Sequence, residues 1–227
     1  MSKKLLASLS VTLALAALTA CEYHPGDLDN PINRKAVWLS FLSGDDIRKS
    51  CVAGAPDYLR IVYNGRWYEQ VRVYQVVGVA PYTLNQRVIG PADLSHIDAT
   101  MASETMTGKI ARTDLGEAKY KALAASLDTA IASTPAKVDQ TMASDSYYWL
   151  ASGCRGGKFI FDAWQFQQPG FDGLTFPAQL LAEDKTGIAF SPPHEMDSFD
   201  LANKPNADRQ RWYLRVYADH VGPAVGF

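Results

Sequence analysis

The run from Tyr58 to Val77 constrains the fold of this chain more than any other segment. Tyr58-Leu59-Arg60-Ile61-Val62-Tyr63 is made of β-branched and aromatic residues, and Arg66 to Val77 continues in the same manner. Between them stands Asn64-Gly65, the dipeptide preferred for a two-residue hairpin turn because both residues accept positive φ. Such a turn sets Tyr63 opposite Arg66, Val62 opposite Trp67, Ile61 opposite Tyr68 and Arg60 opposite Glu69, the last an opposite-charge pair. Pro81 ends the run, and the stretch from there to Arg112 is polar and weakly patterned.

The rest of the chain supplies elements of the same kind. A second hairpin is expected across Cys154, with arms Tyr147 to Ser152 and Lys158 to Gln167 and a turn from Gly153 to Gly157. Its second arm is apolar on both faces, which predicts a central strand. Gln210 to Ala218 alternates cleanly: Trp212, Leu214, Val216 and Ala218 on one side, Arg211, Tyr213, Arg215 and Tyr217 on the other. Asp114-Leu115-Gly116-Glu117 reads as a capping box, and Leu115, Ala118, Ala122, Leu123, Leu127, Ala130 and Ile131 follow at helical spacing up to Pro135. Residues 168–208 carry five prolines and predict loop, with a short helix near Ala178 to Asp184. These elements predict a single α+β domain, an antiparallel sheet built from hairpins with one main amphipathic helix.

Residues 1–20 have a different character. Lys3 and Lys4 precede the almost wholly apolar stretch Leu5 to Leu18, and Leu18-Thr19-Ala20-Cys21 closes the segment. A cationic start, a short apolar core and small residues before a cut are the marks of a secretion signal. The core is shorter than the roughly 20 apolar residues of a membrane-spanning helix. Leu18-Thr19-Ala20-Cys21 resembles the lipobox of bacterial lipoproteins, a resemblance covering only the first 21 residues. It implies cleavage before Cys21 and diacylation of that cysteine, hence a lipid-anchored protein of the cell envelope. Glu22, where an Asp would signal inner-membrane retention in that family, implies the outer membrane and its periplasmic face. Residues 22–36 hold two prolines, a glycine and several Asp and Asn. They predict a lipidated flexible tether over 21–36 and a globular domain over 37–227.

That compartment is oxidising, and Cys21 would take lipid, so Cys51 and Cys154 remain as an even pair and predict a disulfide. The alternative is a reactive thiol. Ser152-Gly153-Cys154-Arg155-Gly156 slightly resembles the caspase nucleophile signature Gln-Ala-Cys-Arg-Gly, but the Gln and the Ala are missing, and His96 upstream has no supporting motif. Lys3 and Lys4 leave with the leader, so the chain's 24 acids outnumber its 22 bases still further after residue 20. There is no cationic excess for nucleic acid.

Other chemistry is sparse in the sequence. His24, His96, His194 and His220 are well separated. His194-Glu195 opens like the zinc-protease motif, but Ser198 stands where its second histidine belongs, so no metal is expected. Gly156-Gly157-Lys158 is similar to the end of a phosphate-binding loop, with Ser152 in place of the first glycine and Phe159 in place of the Mg²⁺ ligand. No Gly-x-Ser-x-Gly elbow occurs, and no cofactor is expected. A hydrolase assembled from scattered residues would draw on His96, His194, Glu195 and Asp197.

One pattern recurs: Arg60-Ile61-Val62-Tyr63, Arg72-Val73-Tyr74 and Arg215-Val216-Tyr217. If these strands are neighbours, Arg66, Tyr68, Arg72, Tyr74, Tyr213, Arg215 and Tyr217 make a cationic aromatic surface suited to peptidoglycan or an acidic envelope protein. The same residues also make an ordinary wet sheet face, where Arg stems cover apolar area. Val71-Arg72-Val73-Tyr74-Gln75 after a lipobox resembles the small β-sandwich lipoproteins of the type VI secretion system, which implies anchoring of a membrane complex.

Overall fold

The computed structural model describes residues 22–66, 69–90, 107–133, 140–195 and 211–224. Six strands form one antiparallel sheet: β1 (Tyr58–Gly65), β2 (Gln70–Val77), β3 (Thr83–Ile89), β4 (Lys109–Asp114), β6 (Tyr147–Arg155) and β7 (Lys158–Gln165). Their spatial order is β4-β3-β2-β1-β6-β7. A three-stranded sheet pairs β5 (Gln140–Ala143), β8 (Tyr213–Val216) and β9 (Val221–Pro223), in the order β5-β8-β9. Four α-helices complete the described residues: α1 (Pro31–Ser43), α2 (Asp45–Ser50), α3 (Gly116–Ser133) and α4 (Phe176–Ala182). The molecule is therefore an α+β domain, and among the described residues no helix is long and apolar enough to cross a membrane.

The large sheet is covered on both sides. On the first face Ile61, Tyr63, Tyr74, Trp149 and Trp164 pack against Leu123 and Leu127 of α3 and Phe176 and Leu180 of α4. On the second, Val62, Val73, Leu150 and Phe161 meet Phe41 and Leu42 of α1 and Met142, Leu214 and Val216 of the small sheet. Strand β1 is consequently buried along nearly its whole length instead of alternating. Antiparallel sheets more often leave one face wet.

The first hairpin exists, but its register differs from the one expected. Asn64 and Gly65 lie inside β1, Gly65 pairs with Gln70, Tyr63 with Arg72 and Arg60 with Gln75. The Glu69 amide donates to the Arg66 carbonyl at 2.8 Å, and Arg66 takes the positive φ. Asn64 is drawn inward because its side-chain amide donates to the carbonyls of Ser144 and Ser146. Glycine is required at 65 by crowding: a Cβ there would lie 2.7 Å from the Tyr63 ring. The slip moves every partner by an even number of residues, so each side chain keeps its face. The second hairpin is tighter than expected, with β6 running on to Arg155 and only Gly156-Gly157 in the turn, both at positive φ.

Two regions depart further from expectation. Strand β3 occupies the polar stretch after Pro81, where the buried Gln86 disguises the pattern by bonding to the Thr113 hydroxyl and the Glu183 carbonyl. The stretch expected to be a tether is part of the domain. Tyr23 and Leu28 are buried in the second core, and α1 starts at Pro31. Asn30-Pro31, which resembles a breaker, is instead an N-cap and first helical residue: Asn30 Oδ1 accepts from the Ile32 amide at 2.9 Å. Helix α3 lies where its apolar spacing placed it, burying Tyr120, Leu123, Ala124, Leu127 and Ala130. Asp114 ends β4 and the helix begins at Gly116.

Cys51 and Cys154 form the expected disulfide, their Cα atoms 5.4 Å apart. The bond ties the end of α2 to β6. It closes a loop of 103 residues, which chain entropy values at about 4.7 kcal/mol.

Candidate functional site

Six of the seven Arg and Tyr residues proposed as one surface are among the described residues, and these six do not come together. Arg72 and Tyr74 are buried under the 183–191 segment on the first face of the large sheet, and Arg66 is buried beside Tyr147. Tyr213 and Arg215 sit on β8 in the small sheet, which covers the opposite face, and Tyr217 follows them and stacks on His220. Tyr68 lies outside the described residues. The proposed surface fails because it assumed a half-wet sheet, whereas both faces of this one are packed. The resemblance of Val71–Gln75 to the secretion-system lipoproteins accordingly rests on inward-facing residues.

The buried arginines instead hold a segment in place. Arg72 donates to Asp184 Oδ2 at 2.6 Å, to the Ile188 carbonyl at 2.6 Å and to Gln70 Oε1 at 2.7 Å. Tyr74 donates to the same Asp184 oxygen, and the Thr186 amide and hydroxyl donate to the other. Burial alone would raise the Asp184 carboxyl, but the Thr186 and Tyr74 bonds and the Arg72 charge hold it below the usual range. Burial, and then Asp184, pushes the Tyr74 hydroxyl up. Gln70 reaches the Ala189 carbonyl and Gln86 accepts from the Lys185 amide, so polar side chains of β2 and β3 satisfy a segment that has no regular structure.

The same segment ends in a second cluster. The Ser191 and Tyr147 hydroxyls both donate to Glu69 Oε2 at 3.2 Å, Tyr147 lies 2.9 Å from His194 Nδ1, and Arg66 pairs with Glu69 at 2.9 Å. Glu195 turns away to Gln167. His96 and Asp197, the other scattered hydrolase candidates, lie outside the described residues. A third cluster joins Asp57, Tyr120, Arg155 and Asp128 at the start of β1, with Tyr120 donating to Asp57 at 2.6 Å. Between α3, α4 and β3 lies a cleft of about 200 Å³, lined by Leu84, Leu115, Leu123 and Leu180 and flanked by the Lys119–Glu183 ion pair at 2.6 Å. That is smaller than an ordinary small-molecule pocket.

On the second face, Arg60 donates to both Asp46 oxygens, at 2.8 and 2.6 Å, and to the Phe41 carbonyl. Its guanidinium lies 4.0 Å from the Phe41 ring centre and 4.9 Å from that of Tyr23. The Tyr23 amide donates to Ser40 Oγ, and Glu22 pairs with Lys49 at 2.5 Å. Cys21 is outside the described residues, but of its two successors Tyr23 is packed on α1 and Glu22 is paired with α2. Asp184 and Ser191 have no signal in the sequence: Tyr74 and Asp184 are 110 positions apart.

The fold and these clusters define a disulfide-stapled α+β domain. No family model, no curated protein and no solved structure matches this chain.

Proposed function

We propose that this chain is a lipid-anchored protein of the bacterial cell envelope, acylated on Cys21, with a structural or binding role at the periplasmic face of the outer membrane. The observation that carries the reading is the Cys51–Cys154 bond. Disulfides persist in oxidising compartments, and this one consumes both cysteines other than Cys21, the residue that follows the leader on this reading. Its partners on this reading are the membrane, through the anchor, and an envelope protein or peptidoglycan. The clusters of ionisable groups support a structural role, since their bonds run between elements of the fold. Labelled palmitate should enter the parent chain and fail to enter Cys21→Ala. An unlabelled chain retaining its leader in the cytosol overturns the reading.

A second reading has one observation in its favour. Ser191, Glu69, Tyr147 and His194 converge, four groups able to share protons. On that reading the protein is an envelope hydrolase. It requires turnover of a p-nitrophenyl ester by the purified chain and loss of that turnover in both Ser191→Ala and His194→Ala. A parent with no turnover removes it.

A further inference from the structure

The lipid-anchor reading acquires a consequence from residues 22 and 23. Had residues 21–36 formed a coil, the domain would float on a tether of roughly 20 Å. Instead Tyr23 is only 6% exposed. Its ring meets Phe41 edge-on at 4.7 Å, its amide donates to Ser40 Oγ, and Glu22 pairs with Lys49 at the surface. Two peptide links separate Cys21 from Tyr23, a span of at most about 7 Å. The headgroup zone of one leaflet is itself about 5–7 Å thick. A diacylated Cys21 therefore leaves no slack between bilayer and domain.

We propose that the anchored protein stands flush on the lipid, with the layer made by residues 22–30, α1 and α2 as its membrane-contacting face. This rests on the lipid-anchor reading and adds an orientation to it. The layer suits that place. The two most exposed large hydrophobic residues among those described are Ile32, at 80%, and Val52, at 61%. Ile32 lies in the first turn of α1, and Val52 follows the end of α2, three positions after Lys49. Isolated exposed apolar side chains are common in water; these two lie on the layer that also fixes Glu22 and Tyr23, Val52 next to the helix whose Lys49 pairs with Glu22 and Ile32 at the far end of the helix that Tyr23 packs on. Three of the five acids of the layer are paired, Glu22 with Lys49, Asp46 with Arg60 and Asp29 with Arg87, and Arg34, Lys35 and Arg48 add further positive charge. An anionic bilayer is thus met by little net opposing charge. Helix α3, with its exposed Glu117–Lys121 pair, lies on the other side of the large sheet. It faces away from the membrane, two layer spacings of about 10 Å each from α1.

The test uses the full chain, processed in cells and reconstituted in phosphatidylethanolamine–phosphatidylglycerol vesicles. Single variants Ile32→Cys, Val52→Cys and Lys121→Cys each carry one free thiol, because Cys51 and Cys154 are bonded and Cys21 is acylated. An environment-sensitive fluorophore on that thiol is quenched by lipids bearing a headgroup spin label. Quenching at positions 32 and 52 is expected to exceed that at 121 by threefold or more. Inserting ten Gly and Ser residues between Cys21 and Glu22 should equalise the three. Intact mass reports the acyl groups separately. Acylated protein quenched equally at all three positions overturns the orientation and leaves the anchor standing. So does a difference that survives the insertion. Protein without acyl mass overturns the anchor and the orientation with it.

Discussion

Arg60, Arg66 and Arg72, from one hairpin, are each no more than 2% exposed. A guanidinium is costly to remove from water unless ion pairs and hydrogen bonds replace its hydration; the bonds of Arg72 to Asp184 do so, and those of Arg60 to Asp46 do so at its two terminal nitrogens, its Nε having no partner among the described residues. Removing one partner is worse than removing both, because a charge then stays buried without compensation. Asp184→Ala is therefore expected to destabilise by about 3–5 kcal/mol in urea denaturation, whereas truncating the exposed Asp114 should do almost nothing. The pH dependence has a definite sign. The Asp184 carboxyl is held below its ordinary value, so its contribution is fully present above the unfolded pKa of about 3.9. It fades as pH falls through the lower folded value. Asp184→Asn should thus lose less stability than the parent between pH 4 and pH 2, by about the slope of one proton. The opposite case is Tyr148, fully buried with a hydroxyl that has no partner among the described residues. An unsatisfied buried hydroxyl costs about 1–3 kcal/mol. Tyr148→Phe should melt at or above the parent temperature, and a clear drop would reveal a bound water there.

Each hairpin is decided by one or two backbone positions that the tertiary environment chooses. In the first, Asn64-Gly65 is a strong local turn signal, yet both residues are strand, because the carbonyls of Ser144 and Ser146 claim the asparagine amide. In the second, the tertiary contacts agree with the local signal: the Gly156 amide donates to Asp57 Oδ1 from within the turn, and the two-residue turn forms. Gly157 is needed twice over: φ is +73°, and a Cβ would lie 2.7 Å from the Val52 carbonyl, which is rigid backbone beside the disulfide. Gly157→Ala should cost more than about 1 kcal/mol, read as a lowered urea midpoint, while Gly54→Ala, also at positive φ but with open space around its Cβ, should cost less. Strand β3 is hidden in the sequence for a related reason. Its inward Gln86 is polar in sequence but satisfied in space, and a period-two pattern cannot register a partner nearly a hundred positions away.

The whole molecule is a sheet between two unlike layers, and the N-terminal stretch belongs to one of them. A chain starting at Val37 would suit a domain behind a free tether. Here it deletes Tyr23, Leu28 and the first half of α1, and it strips one ring from the Arg60 guanidinium. Such a truncation is expected to lose the cooperative thermal transition seen by near-ultraviolet circular dichroism, whereas a chain starting at Glu22 should keep it. The amino-acid order alone was enough for the α+β class, the two hairpins, helix α3, the alternation of β8 and the pairing of Cys51 with Cys154, because each depends on neighbours in sequence or on counting cysteines. Hairpin register, the strand hidden around Gln86, the packed N-terminus and the burial of the Arg and Tyr faces came only from the assembled chain. Periodicity reports burial while one side of an element is wet. Where both sides of a sheet are covered, contacts between residues distant in sequence set what each side chain meets, and these leave no local mark.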